Sequence, residues 1–194
     1  MALKVEKRNG SVHISGYVCA VGRDSRLLPP TKTDGRTKDF YEQIAPGTFT
    51  RALEKNHNVI LKLNHSDIIT SQSDNSTFTL REDNIGLYAE LETDNQQIWD
   101  NVDRLTGWSF GFTHPVDSWT VADDGNDRRI LQDLDLQEIS VLTVTPAYVG
   151  TSIEVRSYAD EEVKNDEDTS SADNSTDRYN YFMAYAQYLA LRRK

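Results

Sequence analysis

The chain has 194 residues, with 21 basic and 31 acidic side chains and a formal charge of −10. That length suits one domain of ordinary size plus a tail, and the single cysteine, Cys19, excludes an intramolecular disulfide framework or a cysteine-based zinc cluster. A mean hydropathy of −0.63 and pI ≈ 4.8, no apolar run near the ~20 residues that cross a bilayer, and an N-terminus without an apolar stretch lead us to expect a soluble intracellular protein, with no membrane anchoring and no bulk affinity for nucleic acid.

In chain order, Val12, Ile14, Gly16, Val18 and Ala20 alternate with Ser11, His13, Ser15 and Tyr17, the period of a half-buried strand. Pro46-Gly47 opens a segment in which Phe49, Ala52 and Leu53 share a helical face, predicting a short helix through Lys55. Strand patterns follow at residues 59–65, 78–80 and 86–91, with Asp83-Asn84 as a turn. Asp94 then caps a second helix, with Gln97 as capping-box partner, Ile98, Val102 and Leu105 on one face, and Gly107 as its stop. Strands at residues 107–113, 129–134 and 136–144 complete the set, punctuated by the Asp123-Asp124-Gly125-Asn126-Asp127 turn. About seven short strands with two helices predict a mainly β, α+β domain over residues 1–157, built as a barrel or sandwich. Residues 158–177 are acidic and Ser/Asn-rich, the composition of a flexible linker. Residues 178–194 place Phe182, Tyr185 and Leu189 on one helical face, with Arg192-Arg193-Lys194 at the favourable end of the dipole. Such a helix either docks on its own core or serves as a docking peptide for another protein.

Three positions carry chemistry. None of the four histidines, His13, His57, His65 and His114, stands four residues from another, so helical zinc spacing is absent and no metal or cofactor is expected. His65 ends the stripe Val59, Leu61, Leu63, with Lys62 marking the outward face, so the imidazole is expected to point inward, as an ordinary core histidine also would. In the strand 107–112, Trp108, Phe110 and Phe112 project to one side, leaving Ser109 between Gly107 and Gly111 on the other. That is a hydroxyl in a cleared strip where another backbone could approach, or simply a glycine-eased bend. It is not a nucleophile elbow, for no helix follows. Glu138 alternates in phase with Leu136 and Leu142, which places a carboxylate among apolar neighbours and requires a partner, either an imidazole or an arginine. A nucleophile, a base and an orienter are the three parts that acyl transfer needs.

The segments 40–49 (FYEQIAPGTF), Asn64-His65, Gly86-Leu87, 107–112 (GWSFGF), Glu138-Ile139-Ser140 and Pro146-Ala147 occur in an order that resembles the prohead maturation proteases of tailed phages, distantly similar in fold to the herpesvirus assemblins. The resemblance spans residues 10–155. It implies a closed or nearly closed, assemblin-like β-barrel of about seven strands, and a serine endopeptidase with His65, Ser109 and Glu138 as its catalytic residues. Asp133 and Asp135 are the alternative acids. It further implies scaffold protein or the scaffolding segment of the major capsid protein as substrate, self-cleavage in the acidic linker, a homodimer or higher oligomer, and action inside the immature capsid in the host cytoplasm. Two other readings use the same residues: a non-catalytic capsid- or scaffold-binding β-barrel module, and a metal-dependent hydrolase built on His65, Asp67 and Asp133.

Overall fold

The computed structural model describes residues 3–30 and 37–148, and the backbone of residues 153–156. Its strands fall into two five-stranded sheets. The first contains β1 (Leu3–Arg8), β2 (Ser11–Ala20), β6 (Thr79–Glu82), β7 (Gly86–Thr93) and β10 (Ile153–Arg156), in the order β10-β1-β2-β7-β6. All its pairs are antiparallel except β10 with β1. The second contains β3 (Phe40–Ile44), β4 (Ile60–Leu63), β5 (Asp67–Ser71), β8 (Gly107–Val121) and β9 (Asp127–Leu142).

β9 is the spine of the second sheet. One of its edges pairs antiparallel with β8 along the whole strand. The other pairs parallel with β3 over Asp127–Leu131 and then with β4 over Glu138–Val141. Helix α1 (Thr48–Lys55) makes the crossover between β3 and β4 and buries Phe49 and Ala52, the apolar face expected from its spacing. β5 returns beside β4 as an antiparallel hairpin. A single apolar cluster takes Val12, Ile14, Leu87 and Leu91 from the first sheet and Leu61, Trp108, Leu131 and Ile139 from the second.

The architecture is mainly β with two helices, as expected, but no sheet closes into a barrel. Among the described residues β10 and β6 end the first sheet, β3, β5 and β8 are the edge strands of the second, and no ladder joins the two sheets. Period-two alternation reports only that one strand face is buried, a property that open packed sheets share with barrels. Two expected strands, at residues 129–134 and 136–144, are one continuous strand, because Asp135 sits on the solvent side of β9 without interrupting its ladder. β1, β3, β5 and β10 add to the expected set, each too short or too charged for the alternation to stand out.

The second helix, α2 (Gln96–Asn101), is capped by Asn95 rather than Asp94: the Asn95 side chain accepts from the amides of Gln97 and Ile98. The segment tightens into a 3-10 turn over Val102–Arg104 and ends before Leu105, so Gly107 begins β8 instead of stopping a helix. The expected linker at 158–177 and helix at 178–194 lie outside the described residues.

Candidate active site

The geometry of the site begins at the β4–β5 hairpin. Ser66 N–H donates to the Leu63 carbonyl at 3.1 Å, and Asn64 and His65 between them have φ of 51° and 61°. Two consecutive positive φ values are what a primed hairpin turn requires, and they cost a non-glycine residue roughly 1–2 kcal/mol each. Asn tolerates this region best, and here it is also tied down. Asn64 N–H donates to the Val141 carbonyl at 2.9 Å, its Nδ2 donates to Thr143 Oγ1 at 3.0 Å, and its Oδ1 accepts from Thr143 N–H at 2.8 Å. The end of β9 therefore holds the turn in its strained form, and the turn decides where the His65 ring goes.

His65 does not continue the Leu61–Leu63 stripe. The turn breaks the alternation, and the ring lies on the opposite face of the sheet, where its Nδ1 meets Glu138 Oε1 at 2.6 Å. The expectation that His65 is inward-facing holds in burial, with its side chain 11% exposed, but not in face. An ionised carboxylate only accepts, so the proton is assigned to Nδ1, and Nε2 of the neutral ring is the acceptor.

Glu138 reaches the same face through a bulge. Gly111 pairs with Glu138 and Phe112 with Leu136, which leaves Gln137 as an extra residue in β9. A bulge reverses the alternation on either side of it. Leu136, Ile139 and Val141 accordingly all enter the core, while Glu138 turns away with Ser140. The expected phase match of Glu138 with Leu136 fails for this reason. Its carboxylate is nonetheless buried, at 4% exposure, and it has the histidine partner that burial demands. Its second oxygen, Oε2, forms an ion pair with Lys62 Nζ. Lys62, read from sequence as a marker of the solvent face, thus belongs to the site.

Ser109 is the cross-strand partner of Ser140 in the β8–β9 ladder. Directly opposed residues of an antiparallel pair project to one face, so Ser109 shares the face of Ser140, Glu138 and Lys62, the last being the register partner of Ser140 in β4. Ser140 Oγ lies 3.3 Å from His65 Nδ1, but Ser140 has no solvent exposure and sits at the nitrogen already engaged by Glu138. Ser109 is partly accessible. On its other face β8 is anchored by Trp108, fully buried, and by Phe110, whose ring packs at 5.2 Å against both Phe49 and Tyr148. Burying such side chains stabilises by ~1.5–3 kcal/mol each, which fixes the rotation of the strand and hence the side on which Ser109 emerges.

One glycine of the strip has a use that its spacing did not announce. A Cβ at Gly111 would stand 2.7 Å from Glu138 Cγ and 3.0 Å from Oε1. Gly111 clears room for the Glu138 carboxylate. Asp133 and Asp135 are engaged elsewhere: Lys55 Nζ donates to both at 2.8 and 3.3 Å, and His114 Nδ1 meets Asp135 at 2.8 Å. The Lys55 bond holds Asp133 below the usual carboxylate range, as the His114 and Lys55 bonds do for Asp135. His65, Asp67 and Asp133 form no cluster of metal-ligating side chains among the described residues.

Two positions escaped the sequence reading. Asn64 carried a usable signal, since Asn before a polar residue marks a turn; Lys62 carried none, because its role depends on a carboxylate 76 positions away in sequence. In comparisons with known proteins, the family model described as caudovirus prohead serine protease matches residues 1–166. No curated protein and no solved structure matches the chain significantly.

Proposed function

We propose how a chain that belongs to the caudovirus prohead serine protease family cuts its substrate: Ser109 is the nucleophile, His65 the general base and Glu138 the group that orients the imidazole. The observation that carries this reading is the 2.6 Å contact between His65 Nδ1 and Glu138 Oε1, on the sheet face that Ser109 shares through its pairing with Ser140. With Nδ1–H held by the carboxylate, Nε2 takes the proton of Ser109 Oγ as that oxygen attacks the scissile carbonyl carbon. The imidazolium so formed is stabilised by Glu138 and then protonates the leaving amine. Water, deprotonated by the same nitrogen, releases the acyl group.

The peptide substrate binds as an added strand. Among the described residues β8 pairs only with β9, so its outer edge beside Ser109 offers unpaired backbone groups to an extended chain. Scaffold protein, or the scaffolding segment of the major capsid protein, is the substrate, and cutting takes place inside the immature head in the host cytoplasm. The enzyme also cuts itself between Ala159 and Asp177, a stretch whose acidic, Ser/Asn-rich composition is of the kind proteases reach first, and it acts as a homodimer or higher oligomer.

Incubating parent and Ser109→Ala chains with scaffold tests the reading. Cleavage by the variant falls by ~10³-fold or more, and the intact mass of the parent shortens on standing while that of the variant does not. A variant that cuts like the parent would overturn the assignment of Ser109 as nucleophile, and a parent that cuts nothing would leave a non-catalytic capsid- or scaffold-binding module as the better description.

A further inference from the structure

We propose that Lys62 is a positioning residue of this site, acting on the His65 ring through the second oxygen of Glu138; the inference rests on the assignment of His65 and Glu138 above. Oε1 of the carboxylate faces His65 Nδ1 at 2.6 Å, and Oε2 forms an ion pair with Lys62 Nζ. A carboxylate held at one oxygen only can rotate about its terminal bond. Held at both, it has a single orientation, and that orientation sets the plane and tautomer of the ring.

The backbone makes this arrangement local and stiff. Lys62 stands beside Ser140 in the parallel β4–β9 pairing, and Ile60 stands beside Glu138, so ammonium and carboxylate reach each other diagonally across adjacent strands. Only Leu63 and Asn64 separate Lys62 from His65, and Leu63 is anchored in the core. One short segment therefore supplies both partners of the carboxylate, one to each oxygen. Burial adds to the demand for a second partner. The Glu138 side chain is 5% exposed and that of Lys62 24%, so water cannot replace the ammonium fully at Oε2. Lys62 is not in the substrate's path on this reading; it touches Glu138, and Glu138 touches the ring.

The test compares Lys62→Met and Lys62→Arg in the full chain. With Lys62→Met, kcat for scaffold cleavage falls by roughly tenfold to a hundredfold, the scale of a small misplacement of a catalytic group, while KM changes little. Lys62→Arg restores most of the loss, because a guanidinium also supplies a donor to Oε2. In a Ser109→Ala background, which prevents self-cleavage, the Nδ1 proton of His65 (identified by its disappearance in His65→Ala) resonates downfield in the parent and in Lys62→Arg. In Lys62→Met it moves upfield or broadens into exchange with water. Unchanged turnover and an unmoved resonance in a folded Lys62→Met would overturn the proposal, as would a loss that Lys62→Arg does not repair. Should no form of the chain cut scaffold, the protease reading above fails, yet the resonance still decides the role of Lys62: movement supports it and constancy refutes it.

Discussion

Gly111→Ala separates the two uses that a glycine beside the nucleophile can have. Gly111 has no positive φ, so alanine meets no backbone strain there. The three atoms nearest the new methyl group all belong to Glu138: Cγ would be 2.7 Å away, Oε1 3.0 Å and Cδ 3.1 Å. Ordinary contact begins at 3.4 Å, so the Glu138 side chain must retreat by at least about 0.7 Å (3.4 − 2.7). A displacement of that size directed along the 2.6 Å bond with His65 lengthens it to about 3.3 Å, beyond the usual range for a hydrogen bond of this kind. Misplacement on this scale costs up to ~10²-fold in turnover, equivalent to about 2.7 kcal/mol of transition-state stabilisation. Overpacking should lower the stability by a further ~1–3 kcal/mol. The assay is kcat/KM for scaffold cleavage at a temperature where urea unfolding shows the variant to be fully native. A native Gly111→Ala chain that cuts at the parent rate would refute the claim that Gly111 is kept clear for the carboxylate, and with it the claim that Glu138 works through the His65 ring.

Other consequences are direct. Glu138→Gln, which permits the wrong imidazole tautomer, lowers kcat by ~10²–10⁴-fold, whereas Asp135→Asn changes it by no more than about threefold, the scale of an ordinary surface substitution; equal losses in the two variants would reopen the assignment of the acid. Asn64→Ala removes the bonds to Thr143 and puts alanine at φ 51°, for an expected loss of ~2–3 kcal/mol in urea unfolding. Asn64→Gly relieves the backbone term and recovers ~1 kcal/mol, so an Asn64→Ala chain as stable as the parent would show that the turn needs no clamp. Away from the site, the Tyr17 hydroxyl, followed by the amides of Ile85 and Gly86, holds the Asp83 carboxyl below its ordinary value. A depressed carboxylate contributes stability above its unfolded pKa and loses it as pH falls through the folded one. The deficit of Asp83→Asn relative to the parent is therefore present at pH 7 and disappears in acid below the usual Asp range; a deficit independent of pH in thermal unfolding would mean that the charge of Asp83 contributes nothing.

What the sequence determined by itself is local. The helix after Pro46-Gly47 follows from the spacing of Phe49 and Ala52, and the strands through Ile14, Leu87 and Phe110 follow from alternation, because burial of one face imposes period two whatever the neighbours are. The order of motifs around His65, Ser109 and Glu138 was also legible, since residue types are written in the chain. The faces were not. Whether His65 continues the Leu61–Leu63 stripe depends on two left-handed residues that Thr143 and Val141 hold in place from the far end of β9. Whether Glu138 shares a face with Leu136 depends on a bulge at Gln137 that exists only in register with β8. Closure of a sheet, likewise, is a matter of which edges meet. Each of these is set by hydrogen bonds between segments tens of residues apart, and alternation within one segment carries no record of them. Only the tertiary structure brought Lys62 to Oε2 of Glu138 and gave Gly111 its reason.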